Sequence, residues 1–204
     1  MPLNAVARKA DAPAGPKRDA ILRAAIDVFA ERGYFNAQVA DVARVAGVAA
    51  GTVYLYFKSK DDLLVSIFER SMREGLAHSR DAVANLADPR ERLRRLARGH
   101  LARLGGDRKL AIVFQVELRQ STKFMERFSS TLLRDYLGLI RQAIADGQRQ
   151  GVFRADIKPT SAAKMLFGAL DEMATNWILS RRRYSLEADA DAVVDLFING
   201  ARAR

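Results

Sequence analysis

Apolar side chains recur three and four residues apart along almost the whole chain. Pro16 suits a first helical position, where its missing N–H would lack a partner anyway. After it, Ile21, Leu22, Ala25, Val28 and Phe29 share one helical face, and Gly33 follows as a C-terminal stop. This predicts a helix over 17–32. Val39, Val42, Ala43 and Ala46 repeat the spacing until Gly47 breaks it, and a second short segment runs from Ala49 to Tyr56. Ser59 stands three residues ahead of Asp62, a capping box with Asp in place of Glu or Gln. Leu63, Leu64, Ile67, Phe68, Met72 and Leu76 then continue as a long fourth helix.

The rest of the chain has the same period. Pro89 opens a helix carrying Leu93, Leu96, Leu101 and Leu104, and Gly105-Gly106 is its expected break. Leu110 to Leu118 is apolar nearly all round, the mark of a buried helix. Phe124 to Gln150 reads as a long amphipathic helix that stops near Gly151, with residues 151–156 as a loop ended by Pro159. One stripe joins Ala163, Leu166, Phe167, Leu170, Ala174, Trp177 and Ile178; another joins Leu186, Val193, Val194, Phe197, Ile198 and Ala201. The pattern holds no strand and no internal repeat. The expected fold is all-α with about nine helices. A flexible basic arm is expected over 1–15, a small helical domain over 16–64, and a larger helical domain over 65–204.

Composition narrows the function. There is no cysteine, which excludes disulfides, thiolate metal sites and a cysteine nucleophile. His78 and His100 are the only imidazoles, too few for a multi-histidine metal centre, and both are expected to be solvated or internally satisfied. No apolar run approaches the roughly 18–20 residues that span a bilayer. The first 15 residues carry Arg8, Lys9 and Asp11 but no apolar block. A soluble cytoplasmic protein without a membrane partner is expected. Lys and Arg number 34 against 24 Asp and Glu, a net +10 that suits a polyanionic partner. Residues 1–60 hold nine cations and five anions, so +4 lies in the arm and head and +6 in the remainder. No Gly-rich phosphate loop or serine elbow occurs in 65–204, and Asp171 and Glu172, adjacent on a helix, point about 100° apart. No enzyme, catalytic residue, metal or resident cofactor is expected.

A short helix, a glycine turn and a second short helix make a helix-turn-helix, whose second helix lies in the major groove of DNA. Here that helix is Ala49-Ala50-Gly51-Thr52-Val53-Tyr54-Leu55-Tyr56. Its first residues are small enough for close approach to a duplex, and its positive dipole end would face phosphate. Thr52, Tyr54 and Tyr56 supply hydroxyls, and Lys58 and Lys60 supply charge at the far rim. The run Gly33-Tyr34, Val39-Ala40-Asp41-Val42-Ala43, Ala46-Gly47-Val48 and Gly51 to Lys60 resembles the DNA-binding domain of the TetR family. The resemblance covers 17–64. It implies an all-α homodimeric transcription factor, usually a repressor, released from a palindromic operator by a small ligand. It places Thr52 and Leu55 near bases, Tyr54 and Tyr56 near phosphates, Lys60 on phosphate and Phe57 in the core. One departure is Ala37-Gln38, where the family commonly has two hydroxyl residues that cap the second helix; Gln38 is the candidate for their phosphate contact.

In the C-terminal portion, Gln115 and Arg119 lie one turn apart on the same face, with Glu117 on another. A buried guanidinium needs a partner, either Asp171, Glu172 or a backbone carbonyl within the chain, or an anionic ligand. This stretch, with Asp171 to Trp177, resembles the ligand domains of TetR-family regulators of fatty-acid metabolism, which implies a long-chain acyl-CoA effector. Phe114, Phe124, Phe128, Phe167, Met173 and Trp177 are candidates for an apolar tunnel, with Gln115 and Asn176 beside it. Arg103, Arg119, Lys123 and Arg127 are candidates for the CoA phosphates. The alternatives are a repressor that senses another hydrophobic drug or metabolite, as in efflux control, and an acyl-CoA-binding carrier or enzyme. The last two stripes, with small Gly168 and Ala169, are expected to pair across a twofold axis as a four-helix dimer interface.

Overall fold

The computed structural model describes residues 15–120, 131–182 and 184–202. Among them are nine α-helices: α1 (Pro16–Arg32), α2 (Val39–Val45), α3 (Ala50–Tyr56), α4 (Lys60–Val83), α5 (Pro89–Gly106), α6 (Arg108–Gln115), α7 (Thr131–Arg149), α8 (Pro159–Leu179) and α9 (Ala190–Ala201). Two short 3₁₀ turns cover Glu117–Gln120 and Leu186–Asp189. The described residues form no strand; an isolated bridge pairs Phe153 with Arg202. The chain divides into two compact units between Leu64 and Val65. The expected arm over 1–15 lies outside the described residues except for Gly15, and the expected helix start at Phe124 also lies outside them.

The first unit is built on α1, against which α2 packs, and α3 packs against α2 in turn. Ile21, Ala25, Phe29, Val42, Val53 and Phe57 are among its most completely enclosed residues. The axes of α2 and α3 turn through 101°, within the range of a helix-turn-helix. Gly47 makes that turn possible. With φ at +67° it enters the left-handed region, where its own N–H reaches Arg44 O at 3.3 Å and the Val48 N–H reaches Ala43 O at 3.0 Å. This is a Schellman closure, and a side chain at Gly47 would strain it.

The other helix starts are capped individually. At α2, where no hydroxyl residue is available, the Asp41 carboxylate accepts the Gln38 backbone N–H at 3.2 Å. At α4, Ser59 Oγ accepts the Asp62 N–H at 3.1 Å, as the capping box requires. The Asp62 carboxylate reaches one residue further back than expected and accepts the Lys58 N–H at 2.8 Å.

In the second unit α8 packs on α7, while α5 lies against α7, α8 and α9. Leu93, Leu96, Leu101, Ile140, Leu166, Leu170 and Val194 fill the space between them. Ion pairs tie the elements at the periphery. Arg92 meets Asp146 at 2.6 Å, and Arg98 holds both oxygens of Asp191 at 2.7 and 2.5 Å. Arg108 donates to the Trp177, Ile178 and Ser180 carbonyls at 3.1, 2.7 and 3.2 Å. It thereby satisfies the exposed C-terminal end of α8 with a cation, where the helix dipole favours one. At Gly147 the close approach of Phe153 governs the choice of residue, since an added Cβ would sit 2.2 Å from that ring.

Three boundaries differ from the periodic reading. The helix α5 runs through Gly105-Gly106 and stops at Asp107, whose side chain takes the Leu110 N–H at 3.0 Å and so starts α6. The apolar run Leu110–Leu118 is not one helix. It ends as α-helix at Gln115 and tightens into the 3₁₀ turn Glu117–Gln120, which turns Glu117 inward. The last stripe likewise begins as a 3₁₀ turn at Leu186 before α9.

Candidate DNA-reading helix and ligand cavity

Val53 and Phe57 anchor α3 by their complete burial, and the Arg18 guanidinium lies 5.1 Å from the centre of the Phe57 ring. The opposite face of α3 is open. Leu55 is 80 % exposed and Tyr54 55 % exposed, while Ala49, Ala50, Gly51 and Lys58 are also exposed and Thr52 and Tyr56 are half-buried. An added Cβ at Gly51 would meet nothing within 4 Å. A leucine this exposed has no packing role in the head, and its two tyrosine neighbours present hydroxyls beside it. Gln38 is exposed at the start of α2. Each of these residues is at least partly accessible, and together they offer hydroxyl, amide, apolar and cationic groups.

Lys60 is placed differently from the expectation that it holds phosphate. Its ammonium donates to the carbonyls of Tyr34, Phe35 and Ala37 at 2.8, 3.2 and 2.9 Å and sits 4.6 Å from the Tyr34 ring centre. All three donors of a lysine are therefore used inside the head. The Tyr34 hydroxyl also bonds Asp61, and burial, together with that carboxylate, pushes the phenol above its usual range. The first turn of α4 thus locks the α1–α2 loop. Asp41 does similar work at the other side, pairing with Arg32 at 2.9 Å and Arg44 at 3.5 Å. Burial raises its carboxyl, but the Gln38 N–H and the two guanidiniums outweigh this and hold it below its ordinary value.

The second unit contains a cavity of about 630 Å³, within the size range of small-molecule sites. Leu76, Leu104, Leu110, Phe114, Leu133 and Phe167 give it an apolar wall. The Phe114 ring packs at a tilt against Phe68, with ring centres 5.3 Å apart. Ser71, Glu74, His78, Arg95 and Arg103 supply polar groups along α4 and α5. Arg103 donates to the Ser71 carbonyl and hydroxyl, and its contact with Glu74 is a loose 4.0 Å. Desolvation lowers its pKa, with Glu74 opposing. A guanidinium in a cavity wall with so distant a carboxylate has the chemistry to accept an anion. Gly75 makes its position possible, because the site of an added Cβ there lies 2.6 Å from the Arg103 guanidinium.

Of the residues expected around the ligand, Arg103, Phe114, Gln115 and Phe167 line this cavity. Four others do not. Arg119 pairs with Asp171 Oδ2 at 2.6 Å, with about a third of its side chain exposed, so the internal carboxylate is its partner. Gln115 donates to the other oxygen of Asp171 at 2.9 Å and accepts from Thr175 at 3.1 Å. Asn176 is exposed and donates to Glu172 one turn back at 2.7 Å. Trp177 is buried under the Arg108 guanidinium, with its indole N–H on the Tyr184 carbonyl at 2.9 Å. Met173 packs against the core cluster. Asn176, Trp177 and Met173 are thus taken up by structure on other faces of α8. Lys123, Phe124, Arg127 and Phe128 lie outside the described residues.

His100, expected to be solvated or internally satisfied, lines the cavity. Its ring lies between Tyr136 and Phe167, at 5.8 and 5.6 Å, and its Nε2 is enclosed without a hydrogen-bond partner. A signal was present: His100 falls four residues after Leu96 and four before Leu104, on the buried stripe of α5.

A helix-turn-helix with an open second helix, carried on the same chain as a helical unit with its own ligand-sized cavity, defines a DNA-binding regulator. The chain belongs to the tetR family of bacterial regulatory proteins: that family's profile matches residues 21–67, and the profile "YsiA-like protein, C-terminal region" matches residues 68–200. The fatty acid metabolism regulator protein of Bacillus subtilis is 36% identical over 185 residues, covering 91% of this chain and 95% of that protein. The solved fatty acid degradation regulator FadR of Bacillus halodurans is 39% identical with a TM-score of 0.88, covering 95% of this chain and 100% of its own. The FadR structure from Bacillus subtilis, in complex with stearoyl-CoA, is 34% identical with a TM-score of 0.85, covering 90% and 99%. No single described helix is long and apolar enough to cross a membrane, and the described residues hold no cluster of metal-ligating side chains.

Proposed function

We propose that the protein is a cytoplasmic repressor that binds a palindromic operator as a homodimer and is released by long-chain acyl-CoA, switching on genes of fatty-acid metabolism. The observation that carries this reading is the apolar cavity with the half-buried Arg103 in its wall: an acyl chain needs the first and a CoA phosphate the second. The stearoyl-CoA found in the Bacillus subtilis relative supports the same ligand class. On DNA, Ala49, Ala50 and Gly51 let α3 approach the groove, Thr52 and Leu55 meet base edges, and Tyr54, Tyr56, Lys58 and Gln38 meet the backbone.

The dimer forms through α8 and α9. Met165, Leu179 and Leu196 are 69%, 70% and 77% exposed there, too apolar a set to be left in water. Gly168 and Gly200 face open space, as a close helix–helix approach requires. Release is a population shift, in which the ligand binds the arrangement that does not fit DNA more tightly than the one that does.

The test is fluorescence anisotropy of labelled DNA from the protein's own promoter, titrated with acyl-CoAs of 8 to 18 carbons, free CoA and free fatty acids. Release by the long acyl-CoAs alone, weakened at least tenfold in Arg103→Gln, is the expected result. Release by none of them overturns the acyl-CoA assignment and leaves a regulator that answers to another hydrophobic ligand.

A further inference from the structure

A buried hydrogen-bonding atom without a partner is uncommon in a folded chain, because losing its water costs free energy that nothing returns. Among the described residues, His100 Nε2 is the buried side-chain atom in this state, and His100 lines the cavity. Two other polar side chains of the wall gather beside it. Arg103 lies one turn further along α5 on the same face, close enough for its charge to act on the imidazole. Ser71, on α4, accepts from Arg103 through its carbonyl and its hydroxyl, and a hydroxyl that accepts still carries a hydrogen to donate. Both of those bonds come from Nη2, and the guanidinium fork has further N–H groups to offer. The carboxylates nearby are placed otherwise. Asp171 accepts from Gln115 and Arg119, and Glu74 stays 4.0 Å from Arg103.

We infer that the cavity also takes a free long-chain fatty acid, whose carboxylate is held by Arg103, Ser71 and His100 and which competes there with acyl-CoA. A guanidinium, a hydroxyl and an imidazole gathered on one side of an apolar chamber suit a compact anion with an apolar body. A carboxylate is acceptor-only, and its two oxygens on one carbon can be shared by groups a single helical turn apart. Its burial is tolerable only with an opposite charge and full hydrogen bonding, which Arg103 and its two neighbours supply. Burial depresses the His100 imidazole to about 4, with Asp171 opposing and Arg103 assisting, so the ring is neutral at physiological pH. An acceptor at Nε2 then selects the tautomer that carries the hydrogen there. The wall of Leu76, Leu104, Leu110 and Phe114 receives the chain. At about 30 Å³ for each carbon or oxygen, close to the share of one water molecule, a fatty acid of twelve to sixteen carbons fills roughly 420–540 Å³ of the 630 Å³. The carboxylate site goes beyond the acyl-CoA reading and stands without it; the competition rests on it. That reading gives the same guanidinium to a phosphate, so the two ligands exclude each other. The class of reaction that joins a fatty carboxylate to CoA as a thioester then turns the competitor into the effector, and the regulator reads the balance of the two.

The experiment compares laurate with dodecan-1-ol, which share a twelve-carbon chain and differ in the charged head. Affinities are measured by calorimetry on wild type, Arg103→Gln and His100→Leu. Wild type should prefer laurate at least tenfold, the scale of one hydrogen bond to a charged group. Arg103→Gln should abolish the preference and His100→Leu should reduce it severalfold. Operator binding without ligand should be unchanged in both variants, which establishes that they fold. In the second arm palmitoyl-CoA is titrated into wild type with laurate present at ten times its own Kd. The apparent Kd of palmitoyl-CoA should rise about tenfold, as mass action requires of one shared site. Equal affinity of wild type for the acid and the alcohol, or a preference undiminished in His100→Leu, overturns the carboxylate site. Palmitoyl-CoA binding that is indifferent to laurate overturns the competition. Failure of palmitoyl-CoA to bind at all overturns the acyl-CoA reading and the competition with it, while laurate against dodecan-1-ol still decides the carboxylate site.

Discussion

Lys60 offers a sharp choice between a DNA contact and a structural clamp. The substitution Lys60→Met keeps an unbranched side chain as far as Cε and removes the ammonium. It deprives the carbonyls of Tyr34, Phe35 and Ala37 of a shared donor and removes the cation from the Tyr34 ring. A hydrogen bond from a charged donor contributes about 1.5–3 kcal/mol, and a solvent-accessible cation–π contact roughly 0.5–1. Lys60 is only half-buried, so water replaces part of what is lost. The bonds also share one ammonium and do not add. The expected destabilisation is about 2–3 kcal/mol, a large share of a typical domain's stability.

Urea unfolding followed by circular dichroism measures that loss, and amide exchange locates it at the α1–α2 loop. Operator affinity across a salt series supplies the second axis. Each phosphate contact contributes about 0.9 to the slope of log affinity against log salt, so two lysines in a dimer that held phosphate would contribute about 1.8. The clamp predicts a lower unfolding midpoint and an unchanged slope for operator binding. An unchanged midpoint with a slope shallower by about 1.8 refutes the structural assignment and returns Lys60 to the phosphate backbone.

Gly147→Ala should lower stability by about 1–3 kcal/mol, although alanine is the better helix former, because the new Cβ meets the buried Phe153 ring; Phe153→Leu in the same chain should restore most of the loss in urea melts. Leu196→Glu together with Leu179→Glu should give a monomer by sedimentation, with unchanged helix content and no operator binding, whereas a dimer that survives both charges rules out the α8–α9 interface. The His100 imidazole is held at about 4, below its unfolded value near 6.5. Between those values the unfolded chain takes up a proton that the folded chain does not, so stability falls as pH drops through this window, by roughly 1.4 kcal/mol per unit at most, and levels off below 4. Against wild type, His100→Gln should remove that increment from the slope of urea-derived stability between pH 6.5 and 4; parallel curves would contradict the burial of the ring.

Local sequence settled much of this protein. Helical periodicity placed the helices, because a helix buries one face and its period is written in the order of residues. The turn at Gly47 was legible because only a residue without a Cβ enters that backbone region at no cost. The core position of Phe57 was implied by the family resemblance; that Val53 is buried beside it and Leu55 stands open is what the structure adds. The residues that only the tertiary structure decided are polar and amphipathic. Lys60, Arg119, Asn176 and Trp177 each carry groups that suit a ligand or a phosphate as well as a neighbouring carbonyl or carboxylate. The choice depends on which partner the fold brings within about 3 Å, and the partners of Lys60, Arg119 and Trp177 come from other segments: the Tyr34–Ala37 loop, Asp171 and Tyr184. His100 shows the converse, a histidine on a buried stripe whose one enclosed nitrogen was left without a partner when the helices closed around a chamber. Periodicity reports which face of a helix is inside; it carries no record of what stands across the gap, and for a charged or hydrogen-bonding group that neighbour determines the role.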